Sequence, residues 1–180
     1  VQSFKFFIDY RGEYLTERQE TKSYLNLRIQ PTPDKYYLLG IVSDPDGYRT
    51  TSDTLTTTST SGTVATHEER ITDDRLKINA QIAKRYYDFA VRGGILESTG
   101  GVGADYYLFR DKGKLSFEAW DFNRKPTPHL KASASYDFFK HLFLVAGGDD
   151  LSSKERRSFF AGGGIKFEDD DLKFRNINLL

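Results

Sequence analysis

The sequence predicts an all-β protein: a transmembrane antiparallel up-and-down β-barrel of about twelve strands, formed as a single domain over residues 1–180. Three observations predict it. Apolar and polar side chains alternate with a two-residue period along the chain, turn-forming clusters interrupt that alternation, and no stretch carries the i, i+3, i+4, i+7 spacing of an amphipathic helix.

The alternation is legible strand by strand. Phe4, Phe6, Ile8 and Tyr10 alternate with Lys5, Phe7, Asp9 and Arg11 in the first run, and Leu25, Leu27 and Ile29 with Asn26, Arg28 and Gln30 in the second. Further along, Leu76, Ile78, Ala80 and Ile82 alternate with Lys77, Asn79, Gln81 and Ala83, and Leu130, Ala132, Ala134 and Tyr136 with Lys131, Ser133, Ser135 and Asp137. The last run sets Phe159, Ala161, Gly163, Ile165 and Phe167 against Phe160, Gly162, Gly164 and Lys166. Breaks rich in Gly, Pro, Asn and Asp fall at Thr16–Lys22, Pro31–Lys35, Asp44–Tyr48, Ser59–Gly62, Asp73-Asp74, Arg85–Asp88, Ser98–Val102, Asp111–Gly113, Asn123–Pro128, Lys140-His141 and Asp149–Glu155, which delimit the strands. One segment fits poorly: from Thr50 to Thr66, twelve of seventeen residues are Thr or Ser, so Thr50–Ser59 and Thr63–Ile71 can pair around Ser61-Gly62 but offer little apolar face. That hairpin is expected to curl inward, protrude or contact another chain, or else to be a mobile loop.

Alternation alone does not say which face is wet. About eight strands leave an interior that side chains fill, whereas larger barrels enclose a channel. The apolar face here includes Ala80, Gly93, Ala119, Ala132, Ala134, Ala146, Ala161 and Gly163, an unevenness that lipid tolerates better than a close-packed core. The opposite face carries Asp9, Arg11, Arg28, Lys77, Arg92, Asp105, Glu118, Lys131 and Lys166, charges suited to a polar lumen. Aromatic residues crowd the strand ends, and Phe4, Tyr14, Tyr24, Tyr37, Tyr87, Phe109, Trp120, Phe138, Phe159 and Phe167 are expected to form two interfacial girdles. The competing fold is a soluble two-sheet sandwich with ordinary core aromatics. An even strand count puts both termini on one side, expected to be the periplasm if the short turns lie there, and the strand Ser158–Phe167 is expected to close against Phe4–Tyr14. Gly162, Ile165 and Phe167 resemble the assembly signal of the last strand of outer-membrane barrels, although Glu168–Leu180 still follow.

Composition narrows the function. Hydrophobic residues are 38% and charged residues 29% of the chain, with no apolar run long enough for a spanning helix. Lys+Arg and Asp+Glu are both 26, which gives no long-range attraction for nucleic acid. Cysteine and methionine are absent, so thiolate metal sites are excluded, and the start at Val1-Gln2-Ser3 reads as a mature or excised piece of a longer product. His67, His129 and His141 lie in or beside turns without a second His at ligand spacing, so no metal or catalytic site is assigned. Gly100-Gly101-Val102-Gly103 reads as a flexible hairpin loop rather than a phosphate cradle, and Glu168-Asp169-Asp170-Asp171 as a solvated acidic strand end. No cofactor is expected.

Tyr10–Leu15, Ile29-Gln30-Pro31 with Pro33–Leu38, Gly93–Tyr107, Pro128–Ala132 and Arg157–Phe160 together resemble the C-terminal barrel region of mammalian-cell-entry (MCE, MlaD-like) proteins of Gram-negative bacteria. The resemblance implies a non-enzymatic outer-membrane barrel that anchors a periplasmic lipid-transfer domain lying upstream. It implies membrane lipid as partner, with other copies of the chain or inner-membrane lipid-transport components reached through that missing domain. The Thr-rich hairpin fits the same resemblance without a role, and Arg175–Leu180 matches nothing in it. The alternative function is an independent small-solute pore, with an outer-membrane enzyme third.

Overall fold

The computed structural model describes residues 4–45, 48–57, 63–72, 76–125 and 127–169, with 48–57 and 63–72 given by backbone alone. The strands are β1 (Lys5–Leu15), β2 (Glu20–Thr32), β3 (Lys35–Ser43), β4 (Tyr48–Thr57), β5 (Thr63–Thr72), β6 (Leu76–Tyr86), β7 (Phe89–Leu96), β8 (Thr99–Leu108), β9 (Gly113–Trp120), β10 (His129–Asp137), β11 (Leu142–Asp149) and β12 (Ser158–Glu168). Ten of them form one closed antiparallel barrel in the order β1-β12-β11-β10-β9-β8-β7-β6-β3-β2. The seam between the two ends of the chain pairs Phe7↔Glu168 through Leu15↔Phe160, so every wall strand has a neighbour on both sides.

The expectation of about twelve strands in the wall is corrected to ten. β3 pairs directly with β6, from Lys35↔Lys84 to Ser43↔Leu76. Among the described residues β4 and β5 pair only with each other, and their ladder resumes at Tyr48↔Thr72, one residue out of step with the β3–β6 register. The physical reason lies in composition: a wall strand must present an apolar side chain at every second position, and the Thr/Ser-rich segment lacks that set. The tip at 58–62, and the side chains of Tyr48 and His67, lie outside the described residues, as do Asp170-Asp171 and Arg175–Leu180.

The polarity of the wall is the reverse of a soluble barrel. Outward-facing Ile78, Ile82, Phe117 and Leu144 are 54%, 57%, 62% and 57% exposed, whereas inward-facing Glu13, Lys22, Asp105 and Lys131 are 3% exposed or less. Buried apolar side chains inside form two small clusters, Tyr36, Ala83, Ala90 and Tyr107 at the end that holds the chain termini, and Leu15, Val145 and Phe160 at the other, with Tyr24, Val42, Leu96, Trp120 and Phe143 buried outside these clusters. The two ends differ in their connections. At the terminal end they are Pro33-Asp34, Tyr87-Asp88, 109–112 and 138–141; at the opposite end they are Thr16–Gln19, the excursion 44–75, Glu97-Ser98, 121–128 and 150–157.

The Gly100–Gly103 segment is a correction as well, because it lies inside β8 and not in a loop. Its inward glycines face bulky groups on neighbouring strands: a Cβ on Gly101 would stand 2.7 Å from the Cβ of Trp120, and one on Gly103 would stand 3.1 Å from the Arg92 guanidinium carbon. Glycine there serves close approach, not flexibility.

If β4–β5 is an outgrowth, replacing residues 48–72 by an Asn-Gly turn should leave the ten-stranded barrel folded. Unchanged heat-modifiable migration and β-type circular dichroism would show this, and loss of the folded form would mean that the hairpin belongs to the wall.

Candidate functional site in the barrel interior

Successive residues of a strand point to opposite faces, so the cross-strand registers fix which residues share the interior. Asp9 and Arg11 on β1 stand opposite Asn26 and Tyr24, Val42 opposite Lys77, Ala83 opposite Arg92, Gly103 opposite Glu118, Glu118 opposite Lys131, and Asp9 opposite Lys166. Asp9, Arg11, Arg28, Lys77, Arg92, Asp105, Glu118, Lys131 and Lys166 therefore all occupy inward positions.

Three groups of contacts occupy the interior, two reaching across it and the third running along the wall of β6–β9. In the first, at the end opposite the termini, Lys22 Nζ lies 2.9 Å from Glu97, 3.2 Å from Asp44 and 3.5 Å from Asp149. Glu97 follows β7 and Asp149 ends β11, strands three places from β2 in opposite directions round the wall, so Lys22 links opposite sides of the barrel. Lys77 shares Asp44 at 2.6 Å and Glu97 at 3.3 Å, and His129 Nε2 lies 2.6 Å from the other oxygen of Asp149. Glu97 and Ser98 form the whole β7–β8 turn with φ of 44° and 68°. Two positive φ values are what a two-residue hairpin turn of this twist demands, and they are held here on non-glycine residues, one of which is a network carboxylate. Its own N–H donates to Asn79 Oδ1 at 2.7 Å.

In the second group Lys131 donates to Glu13 at 2.5 Å and to Tyr24 Oη at 2.7 Å, while Arg11 Nε faces Glu13 at 3.1 Å and its guanidinium stacks on the Tyr24 ring. In the third, Arg92 binds Asp105 with two nitrogens at 2.8 and 2.9 Å, Glu118 at 2.7 Å and Gln81 at 3.0 Å, with Ser116 donating to Asp105. Near the terminal end Tyr36 and Tyr107 meet through their hydroxyls at 3.2 Å, flanked by the guanidinium groups of Arg28 and Arg85, and Lys166 pairs with Asp137.

These contacts correct the aromatic assignment. Tyr24 and Trp120 do not belong to a girdle: they are 4% and 3% exposed and point inward, where Tyr24 receives Lys131 and Trp120 stacks on His129 with ring centroids 4.1 Å apart. Trp120 ends β9, but the end of a strand still has two faces and its own is the inner one; Tyr24 lies within β2, opposite Arg11, on the same inner face. Phe4, Tyr87, Phe109, Phe138 and Phe167 are exposed around the terminal end, Tyr37 is half-buried there, and Tyr14 and Phe159 are exposed at the other. The groups that the sequence reading missed are Glu13, Lys22, Asp44, Glu97, His129 and Asp149. Glu13 was in phase with Asp9 and Arg11, but Lys22, Asp44, His129 and Asp149 fell in or beside breaks and so were not read as interior.

Loops at the end opposite the termini are tied to one another. Arg124 binds Asp150, with one nitrogen at 2.9 Å, and Asp150 holds that guanidinium above its ordinary pKa. Arg18 donates to the Arg156 carbonyl at 2.6 Å, and Thr127 donates to Ser152 at 3.1 Å. Glu17 accepts from Thr16 at 2.7 Å, Ser158 at 2.8 Å and the Phe159 N–H at 2.6 Å, which together lower its carboxyl to about 2.

The architecture defines a class, a closed β-barrel with an apolar exterior and an ion-paired interior. The chain belongs to the lipocalin-like domain family, whose model matches residues 6–174. A protein of Aquifex aeolicus (strain VF5), described only as uncharacterized, is 35% identical over 97% of this chain, which spans 54% of that relative's length. The MCE resemblance is thereby overturned: the matching family is the lipocalin-like one across nearly the whole chain, and the quoted blocks are strand and turn segments of this barrel. Among solved structures, a de novo designed transmembrane β-barrel matches 91% of this chain and 95% of its own at TM-score 0.39 and 12% identity. The calcium-bound outer membrane phospholipase dimer of Salmonella typhi matches 91% and 78% at TM-score 0.36 and 13% identity. Both scores are too low to bear on function.

Two outcomes are expected. Lys22→Met removes the cation shared by three carboxylates and should cost about 3–5 kcal/mol in urea unfolding from detergent micelles, whereas Arg110→Gln on an exposed turn should stay within about 0.5 kcal/mol. Because the Glu17 carboxyl titrates lower folded than unfolded, its contribution is complete above about pH 4.5 and is lost as pH falls toward 2. The NMR shift of the Phe159 amide should therefore titrate with a midpoint near 2, and Glu17→Gln should abolish that titration.

Proposed function

We propose that this chain is a β-barrel of the bacterial outer membrane whose interior is closed by ion pairs. It acts as an anchor that holds its longer loops and the β4–β5 hairpin at the membrane surface, and is neither a solute channel nor an enzyme. The observation that carries the reading is the inverted polarity of the wall. Hydrocarbon accepts only structures whose backbone groups are all paired internally, and a closed barrel with apolar side chains outward meets that requirement. Both termini then lie on the short-turn side, which corresponds to the periplasm in barrels of this class.

The anchor reading is favoured over the pore by the contacts that cross the interior, Lys22 to Glu97 and Asp149, Lys131 to Glu13, and Tyr36 to Tyr107. A channel needs a continuous polar path, and here the charges that would line it bind one another. Lipocalin barrels hold a small ligand inside eight strands; in this ten-stranded relative the inward positions are taken by ion-paired groups.

The test is reconstitution. The protein should fold into lipid vesicles as a heat-modifiable monomer and give no steady conductance in a planar bilayer. Leu39→Arg, at the centre of β3 on the outer wall, should cost about 2–4 kcal/mol. A stable monomer soluble without detergent would overturn the membrane assignment, and a steady wild-type conductance would overturn the closed interior.

A further inference from the structure

The chain has no net charge, yet exposed cations gather on two loops at the end opposite the termini. Loop 121–128 carries Lys125 and loop 150–157 carries Lys154, Arg156 and Arg157, all four exposed. The loops are held side by side by Arg124 with Asp150, by Thr127 with Ser152, by Ser152 with the Pro128 carbonyl, and by the Leu151 N–H donating to the Leu130 carbonyl at 2.8 Å. Arg18 and Arg124 are used in this tying. The side chains of the other four cations meet no partner among the described residues. Nearby carboxylates among the described residues include Glu155 on the same loop, half-buried Asp121 at the start of the other beside Arg124, and Glu17, which is already taken by Thr16, Ser158 and the Phe159 N–H. Beside these cations stand Phe122 and Phe159, each 57% exposed, the kind of side chain that settles at a membrane–water interface.

At the terminal end the charges are interleaved instead. Lys84 pairs with Asp34 at 3.1 Å and Arg85 with Asp111 at 2.5 Å.

We propose that loops 121–128 and 150–157 form a docking surface for anionic lipid headgroups, with Lys125, Lys154, Arg156 and Arg157 binding phosphate-type charge while Phe122 and Phe159 sit at the boundary with the acyl chains. This rests on the membrane reading above. The tying holds the two loop backbones side by side, so that the four cations are presented together beside the wall and only their side chains need to order on binding. A cation near an anionic membrane surface favours it by about fivefold, and a cluster of four retains a clear preference after its own repulsion.

The experiment uses the full chain reconstituted in phosphatidylcholine bilayers with spin-labelled phosphatidylglycerol or spin-labelled phosphatidylcholine as probe. The wild type should hold the anionic probe in its motionally restricted shell about fivefold over the neutral one at low salt, with the preference falling at high salt. The variant with Lys125, Lys154, Arg156 and Arg157 all changed to Gln should show equal association of both probes and keep its circular dichroism. The control Lys35→Gln/Arg110→Gln/Lys112→Gln, at the terminal end, should keep the wild-type preference. An undiminished preference in the loop variant, or its loss in the control, would overturn the docking surface while leaving the barrel in the membrane. Absence of any restricted lipid shell in the wild type would overturn the membrane reading and the docking surface with it.

Discussion

A cylinder that turns its apolar residues outward must turn its polar ones inward, where water is scarce and each charge needs a counter-charge. That constraint organises the molecule. Buried ions left without partners are costly, and a fully satisfied network specifies a unique arrangement better than a partly satisfied one. Here the solution is shared partners: Lys22 and Lys77 divide Asp44 and Glu97 between them, and Asp149 divides its oxygens between Lys22 and His129. Because those groups come from strands on opposite sides of the barrel, satisfying the charges also fixes the cross-section. The turn at Glu97-Ser98 and the inward glycines of β8 follow from the same demand, one to place a carboxylate over the interior and the other to clear room for Trp120 and Arg92.

Much of the wall was legible in the sequence because its signal is local. Ile8, Leu27, Ile78 and Ala134 fall on one phase of a two-residue period, and Arg11, Arg28, Lys77 and Lys131 on the other. The same phase places these charges inside without any knowledge of partners. Partnering itself was not legible, since Lys22 and Asp149 are 127 residues apart and are brought together only by the order of strands round the ring. Strand count failed for a related reason: β4 and β5 look like strands and are strands, but membership of the wall depends on which neighbour each one finds. An aromatic residue at a strand end, as Trp120 is, fits both a girdle and an interior, and composition does not separate the two; Tyr24 looks like a strand end only because β2 begins at Glu20, inside the expected break Thr16–Lys22.

The family places the chain among lipocalin-like domains, and the interior shows how far a shared barrel can differ in what it holds. A ligand-binding barrel keeps its centre open and its rim selective. This one sets ion-paired side chains of its own across and along its interior.

The seam between β1 and β12 sets the order in which the barrel can assemble. Most wall pairs join strands adjacent in sequence and can zip from their own turns, whereas Tyr14↔Ala161 joins positions nearly the whole chain apart. Loop-closure entropy grows slowly with length, about 0.6 kcal/mol for each doubling, so the cost of the seam is modest at equilibrium. Its weight falls on kinetics: non-local pairs form late, and until this one forms two strand edges remain open. The half-built sheet is therefore the species most prone to pair with another copy, and the last contact made is the one that ends that hazard.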